Sequence, residues 1–369
     1  MKVLCDRTEL AASVGDLLAI VPGTQTTKAI LQCFHLKAGA DGGLLIEATD
    51  LEIGARVWIE RVQVLEAGEA TVPAGRFSPL LREIADKDVT LEALPGGAGA
   101  VLLASGCEFR LLGQDPSEFP EIPEFRLERS FSLSREALAD SVRRVGIAAS
   151  REIARYQFTG VYFEVEGDKL TLTATDGRRL TNEVLGIDNA GKTRASAIVP
   201  NRAVDLLARV LGQASATARI AIQDPDFQVS FGRGDLTAKL LQGAYPDCRS
   251  VLQLKVASRV TANRQALLAA ARSAALMTTR ETASVGFRFE ADKVYLSTQV
   301  TDVGESRIEV PIVLEGAPME LRFNPVYFID ALRCLDDEEV QIELAAPEKP
   351  VVVRSAQTYR HLVMPLVTN

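Results

Sequence analysis

The sequence predicts an α+β chain in which one domain-sized module is used three times. Three recurrences point to it. Thr-Asp closes an apolar, β-branched run at Thr49-Asp50, Thr175-Asp176 and Thr301-Asp302, and the aspartates follow one another in equal steps of 126 residues. Each reads locally as a strand ending in a polar turn. A helix-capping residue opens Asp6-Arg7-Thr8-Glu9-Leu10, Ser134-Arg135-Glu136-Ala137-Leu138 and Asn263-Arg264-Gln265-Ala266-Leu267. Val72-Pro73, Val199-Pro200 and Phe323-Asn324-Pro325 precede the helical patterns Phe77–Ile84, Ala203–Leu211 and Val326–Leu335. Units of about 125 residues are domain-sized, too long for a solenoid repeat. The expected boundaries are 1–126, 127–253 and 254–369.

In the first module a short strand, Met1–Cys5, leads into an amphipathic helix within residues 5–20. Its Leu10, Val14, Leu17 and Leu18 form one apolar stripe, and Pro22-Gly23 stops it. Strand-like runs come next at Ala29–Leu36, Leu44–Ala48, Ile53–Ile59 and Glu69–Val72. After the helix Phe77–Ile84 come Val89–Leu94, Ala100–Ala104 and Glu108–Leu112, joined by glycine-rich turns. Pro116, Pro120 and Pro123, interleaved with Glu118, Glu121 and Glu124, predict an extended linker, because proline fixes φ and pushes its predecessor out of helix. The second module starts near Leu127 with a helix over Arg135–Ile147, and Tyr245-Pro246-Asp247 ends it. The third starts near Leu254 and ends in the apolar tail Leu362–Leu366.

Composition bounds the function. The 369 residues are 47% hydrophobic and 24% charged, ordinary for a globular protein. Cys5, Cys33, Cys107, Cys248 and Cys334 are scattered with no C-x-x-C pair, which predicts reduced core residues rather than a disulfide frame or a zinc site. No metal and no cofactor are expected. Charge at Lys2 and Asp6 comes too early for a signal peptide, and no apolar run nears the roughly 20 residues of a membrane span, so a soluble cytoplasmic protein without a membrane partner is expected. The net charge of −8 argues against a globally basic nucleic-acid binder but leaves room for a local basic lining. Arginines do concentrate on the repeated helices, from Arg76 and Arg82 through Arg143, Arg144, Arg202 and Arg209 to Arg264, Arg272 and Arg333. Recurrence in all three modules predicts a shared basic surface.

Several motifs imitate chemistry. Gly186–Thr193 fits G-x-x-x-x-G-K-[ST], but a phosphate-binding loop must run into a helix. The next stretch, Arg194–Pro200, is β-type, so a hairpin turn is expected, with a nucleotide-binding enzyme as the alternative. Arg233-Gly234-Asp235 reads as a turn between strands. His35 and His361 lie in apolar strand-like runs, which predicts packing rather than catalysis or metal binding. Asp50, Asp176 and Asp302 stand one per module, which predicts a turn role rather than acid–base work. No catalytic constellation emerges.

A set of motifs in fixed order resembles the bacterial DNA polymerase III beta subunit, the sliding-clamp family. They are Ala48–Gly54, Glu118-Phe119-Pro120, Arg155-Tyr156 with Gly160–Glu164 just beyond, Ala174–Leu180, Ile198-Val199-Pro200, Gly243–Asp247, Phe323-Asn324-Pro325 and Val363-Met364-Pro365. The resemblance covers the whole chain. It implies three clamp-type domains, helices lining a hole and antiparallel sheets outside, in a head-to-tail dimeric ring. It implies no catalysis but a processivity factor that slides on duplex DNA and tethers the replicative polymerase, with the clamp loader and other clamp-motif proteins as further partners. The DNA-facing set it implies is Arg76, Arg82, Arg143, Arg144, Arg151, Arg155, Tyr156, Arg202, Arg209, Arg264, Arg272 and Arg333. The implied partner-peptide pocket is Phe158, Thr175, Gly177, Arg178, Arg179, Leu180, Pro246, Val251, Leu362, Val363, Met364, Pro365 and Leu366. The dimer interface would join Phe109 and Leu111 to Ala275 and Leu276 of a second copy. The chain departs from the family pattern at Ser250, at Val367-Thr368-Asn369, and in the loop Gly23–Lys28, which lacks an arginine. A diverged clamp-like scaffold is a further alternative.

Overall fold

The computed structural model describes residues 1–366 apart from 24–25, 40–41, 213–215, 280–282, 302 and 356–357, with the side chains of 153–155 also outside it. The expected caps form. The Asp6 carboxylate accepts from Glu9 N at 2.9 Å and starts the helix Arg7–Leu17. Ser134 accepts from Ala137 N ahead of Arg135–Gly146, and Asn263 accepts from Ala266 N ahead of Arg264–Ala275. Each satisfies an N–H that a first turn leaves without a partner.

Three local expectations shift. The helix Ala74–Glu83 starts three residues before Phe77, because Ala74-Gly75-Arg76 adds little to the apolar period. Ala29–Gln32 is a 3-10 turn that buries Ile30 and Leu31, and the strand runs over Cys33–Ala38. The strand Val62–Glu66 is additional to the expected set, being too exposed to show a period.

The chain divides into two compact units. The first comprises Met1–Ala139, Ile187–Ala195 and Arg202–Leu240. It holds a five-stranded antiparallel sheet in the order Val62–Glu66, Lys2–Asp6, Asp88–Ala93, Gly99–Ala104, Cys107–Leu112. Its eight-stranded sheet passes from one module into the next where Ile53–Ile59 pairs with Gly234–Lys239, with Gly54 opposite Thr237. The second unit comprises Asp140–Gly186, Ser196–Asn201 and Leu241–Asn369. A twelve-stranded sheet makes the same passage there, Arg179–Gly186 pairing with Tyr359–Val363 and Leu180 standing opposite Leu362. Beneath its last third, Phe287 stacks on Phe328 at 4.8 Å in a core that Val260, Leu296 and Tyr359 extend.

The Thr-Asp repeat is one turn built twice. Thr49 Oγ1 donates to Ile53 O and accepts from Leu51 N, while Asp50 Oδ1 accepts from Glu52 N and Ile53 N. Thr175 Oγ1 donates to Arg179 O and accepts from Gly177 N, while Asp176 Oδ1 accepts from Arg178 N and Arg179 N. The third residue is left-handed in both, Leu51 at φ 79° and Gly177 at φ 87°. Asp302 lies outside the described residues.

Gly186–Thr193 is a turn. Gly186 ends a strand, Asn189 bonds both the N–H and the C=O of Thr193 at 2.9 Å, and the next strand begins at Ala195. The segment runs into no helix on which a phosphate could rest, and the nucleotide-binding alternative fails with it. Phe231 N bonding Gly234 O closes the Arg233-Gly234 turn. His361 is packed as expected, and burial drives its imidazole down to about 3. His35 is packed too, but within 3.2 Å of Glu47 and 3.0 Å of Glu69. Cys5, Cys33 and Cys334 are buried, and burial pushes the Cys5 thiol up to about 12. The core expectation is corrected for Cys107, exposed on an edge strand, and for the half-buried Cys248. Among the described residues no cluster of His, Cys, Asp or Glu could hold a metal ion, and no helix is long and apolar enough to cross a membrane.

Candidate docking groove and basic helix faces

In the second unit the strand joint carries a small apolar cluster apart from the main core. Leu180, Leu362 and Val352 form its floor, with Cys248, Leu252 and Leu254 packed against it. Strand alternation explains the division. Leu362 turns to this side, whereas His361 and Val363 turn into the closed core. Val363 is fully buried there. Around the floor, Gly177, Arg178, Pro246, Val251, Met364 and Leu366 are exposed. Phe158 is half-buried and meets Tyr245 edge-on at 6.3 Å, and Tyr245 stacks on Tyr162 at 5.1 Å. The tail is pinned at both ends, Met364 N donating to Arg178 O at 2.9 Å and Leu366 N to Arg322 O at 2.7 Å, with Pro365 between them.

Two further residues of the expected pocket have partners within the chain. The Thr175 hydroxyl is consumed by its turn. Arg179 is spent on Asp176 at 3.0 Å and Asp330 at 2.6 Å and lies over the Tyr327 ring, so it ties the turn to the helix Pro325–Arg333 instead of offering itself to a ligand. Arg178 does remain at the rim, where a cavity of about 230 Å³ brings it near Arg151, Glu152 and Tyr327. Sequence reasoning missed Cys248, Leu252, Leu254 and Val352. The apolar spacing after Tyr245-Pro246-Asp247 was the signal for the first three.

The arginines fall into two groups. Arg76, Arg82, Arg151, Arg209, Arg272 and Arg333 are exposed and make no side-chain hydrogen bond or ion pair among the described residues. Tyr156 is exposed as well, and the side chain of Arg155 lies outside the described residues. Arg143 reaches Asp140 and Asp336 but stays near the surface. The other three have partners within the chain. Arg144 is half-buried and paired with Glu183 at 2.5 Å. Arg202 is held by Asp50 and by the carbonyls of Ala19 and Ile20. Arg264 donates to the carbonyls of Asp337 at 2.6 Å and Leu332 at 3.1 Å.

The strand Cys107–Leu112 is the edge of its sheet. Leu111 is buried and Phe109 half-buried within the chain, while Leu112, absent from the expected interface, is 69% exposed. Leu276 ends the helix Arg264–Ala275 and is 82% exposed, beside half-buried Ala275. The strand Gly304–Glu315 pairs with Ser258–Asn263 only through Ile312–Glu315. Among the described residues its first half therefore has a strand neighbour on one side only, Lys293–Val300.

The modular reading agrees with known proteins. Profiles for the DNA polymerase III beta subunit match in order, the N-terminal domain over residues 1–123, the central domain over 132–247 and the C-terminal domain over 249–367. The chain belongs to the DNA polymerase III beta subunit family. It is 28% identical over 366 residues to the beta sliding clamp of Chlamydia muridarum, covering 99% of both chains. It is 28% identical over 330 residues to that of Escherichia coli K12, covering 89% of each. The solved sliding clamp of Bacillus subtilis shares its fold with a TM-score of 0.90 at 23% identity over the full length of both. A clamp of Bartonella birtlesii bound to griselimycin does so with the same score at 24%. The family's work, and this chain's, is that of a non-catalytic processivity clamp of DNA polymerase. The architecture is three clamp domains of sheets and helices.

Proposed function

We propose that two copies of this chain, each divided near 1–126, 127–253 and 254–369, meet head to tail in a closed ring that encircles duplex DNA in the cytoplasm. The half-free strand Gly304–Glu315 of one copy would receive the edge strand Cys107–Leu112 of the other, with Phe109, Leu111 and Leu112 against Ala275 and Leu276. The observation that carries the DNA reading is the set of arginines on the helices of all three domains that make no side-chain bond among the described residues: Arg76, Arg82, Arg209, Arg272 and Arg333. Phosphate contacts of this kind hold without reading bases. Base contacts worth about 1–3 kcal/mol each would pin a sliding protein to one sequence. The groove over Leu180 and Leu362 suits a short extended peptide with apolar anchors, offered by the replicative polymerase, the clamp loader and other partners.

The test is retention on nicked circular against linearised plasmid after loading by a clamp loader, with solution mass from light scattering. A dimer kept on circles and lost from linear ends is expected. A monomer, or equal retention on both, overturns the ring and favours a diverged scaffold that keeps only the groove.

A further inference from the structure

The two joints where sheets pass between modules are built alike but filled differently. Gly54 lies between Thr49 and Thr237 in the first, as Leu180 lies between Thr175 and Leu362 in the second. The bond closing each is also shared: Lys239 N donates to Glu52 O, as Met364 N does to Arg178 O, both at 2.9 Å. Where the second joint has a leucine floor, the first has Gly54 and Thr237. The space so made is taken by Ile122 of the linker, which is 6% exposed. A Cβ on Gly54 would come within 3.0 Å of the Ile122 Cγ2.

The linker is held the way a β-domain holds an extended peptide, by its main chain. Buried Arg56 donates to the carbonyls of Ile122 and of Pro123, the latter at 2.9 Å. Gln228 continues the grip, donating to Glu124 O at 2.8 Å and accepting from Arg126 N at 3.0 Å. Pro120 and Pro123 lower the entropy lost in lying extended.

We propose that the first joint is a second peptide-docking groove, kept shut by the chain's own linker with Ile122 as the anchor, so that partner docking is confined to the second joint. The occupant it is built for is an extended segment with one aliphatic residue set between prolines. The proposal rests on reading the second joint as the docking groove.

The test uses the full chain and a fluorescein-labelled synthetic peptide of residues 117–125, monitored by anisotropy. The wild type should bind it weakly. Ile122→Gly should bind at least tenfold more tightly, and Arg56→Ala in that background should abolish the gain. No gain in a folded Ile122→Gly protein overturns the proposal. So does a gain that Leu180→Ala removes and Arg56→Ala leaves, since the peptide would then sit in the second joint. If Ile122→Gly does not fold, Gly54→Val in the wild-type chain serves instead. Its side chain should eject Ile122 and raise proteolysis within residues 119–125 at least tenfold, and an unchanged rate refutes the plug. Failure of the second-joint reading shows separately, as polymerase retention unaffected by Leu180→Ala.

Discussion

The first and second joints share a backbone and differ in a few side chains. Two positions after Gly54 stands Arg56, and two after Leu180 stands Asn182, which bonds only its own sheet through Thr173 at 3.0 Å and Leu172 at 3.4 Å. Opposite Ala55 is Leu236, while opposite Thr181 is His361. A guanidinium and a missing side chain make one joint a holder for the chain itself. Leucines on both strands give the other a small apolar cluster, against which Cys248, Leu252 and Leu254 pack. Register fixes where the joint forms, and two or three residues decide what packs over it.

The largest effects should break this contrast. Ile122→Ala empties a close-packed site and should cost about 2–4 kcal/mol in stability, read from the urea midpoint. Leu180→Ala should cost stability far less but weaken polymerase binding roughly 30-fold, about 2 kcal/mol. A loss below threefold would place docking elsewhere. Arg56→Ala leaves two linker carbonyls without donors and should cost about 2–3 kcal/mol, against about 1 kcal/mol for Asn182→Ala. Equal costs would mean that the linker is not gripped.

A pH titration sharpens the comparison further. Burial holds the His361 imidazole neutral down to about 3, whereas in the unfolded chain it protonates near 6.5. The unfolded state therefore binds the extra proton between these values. The stability this group gives is whole above about 6.5 and falls away as pH drops toward 3. His361→Leu, which copies Leu236 of the first joint, should flatten the fall in melting temperature across that window. A slope identical to wild type would exonerate His361. The smallest expected effect is at the turns: Leu51→Gly, relieving φ 79°, should gain up to about 1 kcal/mol by thermal melting.

The features legible in the sequence are those encoded within a few residues. The Thr-Asp turns and the Asp6, Ser134 and Asn263 caps each depend on neighbours in the chain, and the structure forms them so; the linker expected to be extended instead opens on a 3-10 turn at Pro116–Glu118. Other residues have partners far away in sequence. Arg144, Arg202 and Arg264 look the same in sequence as Arg209 and Arg272, because Glu183, Asp50 and the carbonyls that bind them lie 39 to 183 positions off. Val363 reads together with Leu362, since alternation says that adjacent residues face apart without saying which face is open. Ile122, one apolar residue among prolines and glutamates, gives no sign in the sequence that it is buried.

The passage of a continuous sheet through each joint has a mechanical consequence. Residues Gly234–Ala238 against Ile53–Val57, and Tyr359–Val363 against Arg179–Glu183, are antiparallel ladders that lie across the modular boundary. A force drawing neighbouring modules apart along the strands must shear a row of hydrogen bonds together, rather than peel them singly. Adjoining modules so coupled cannot swing on their linker. They yield by changes of twist spread over the strands, as a leaf spring stores load along its length.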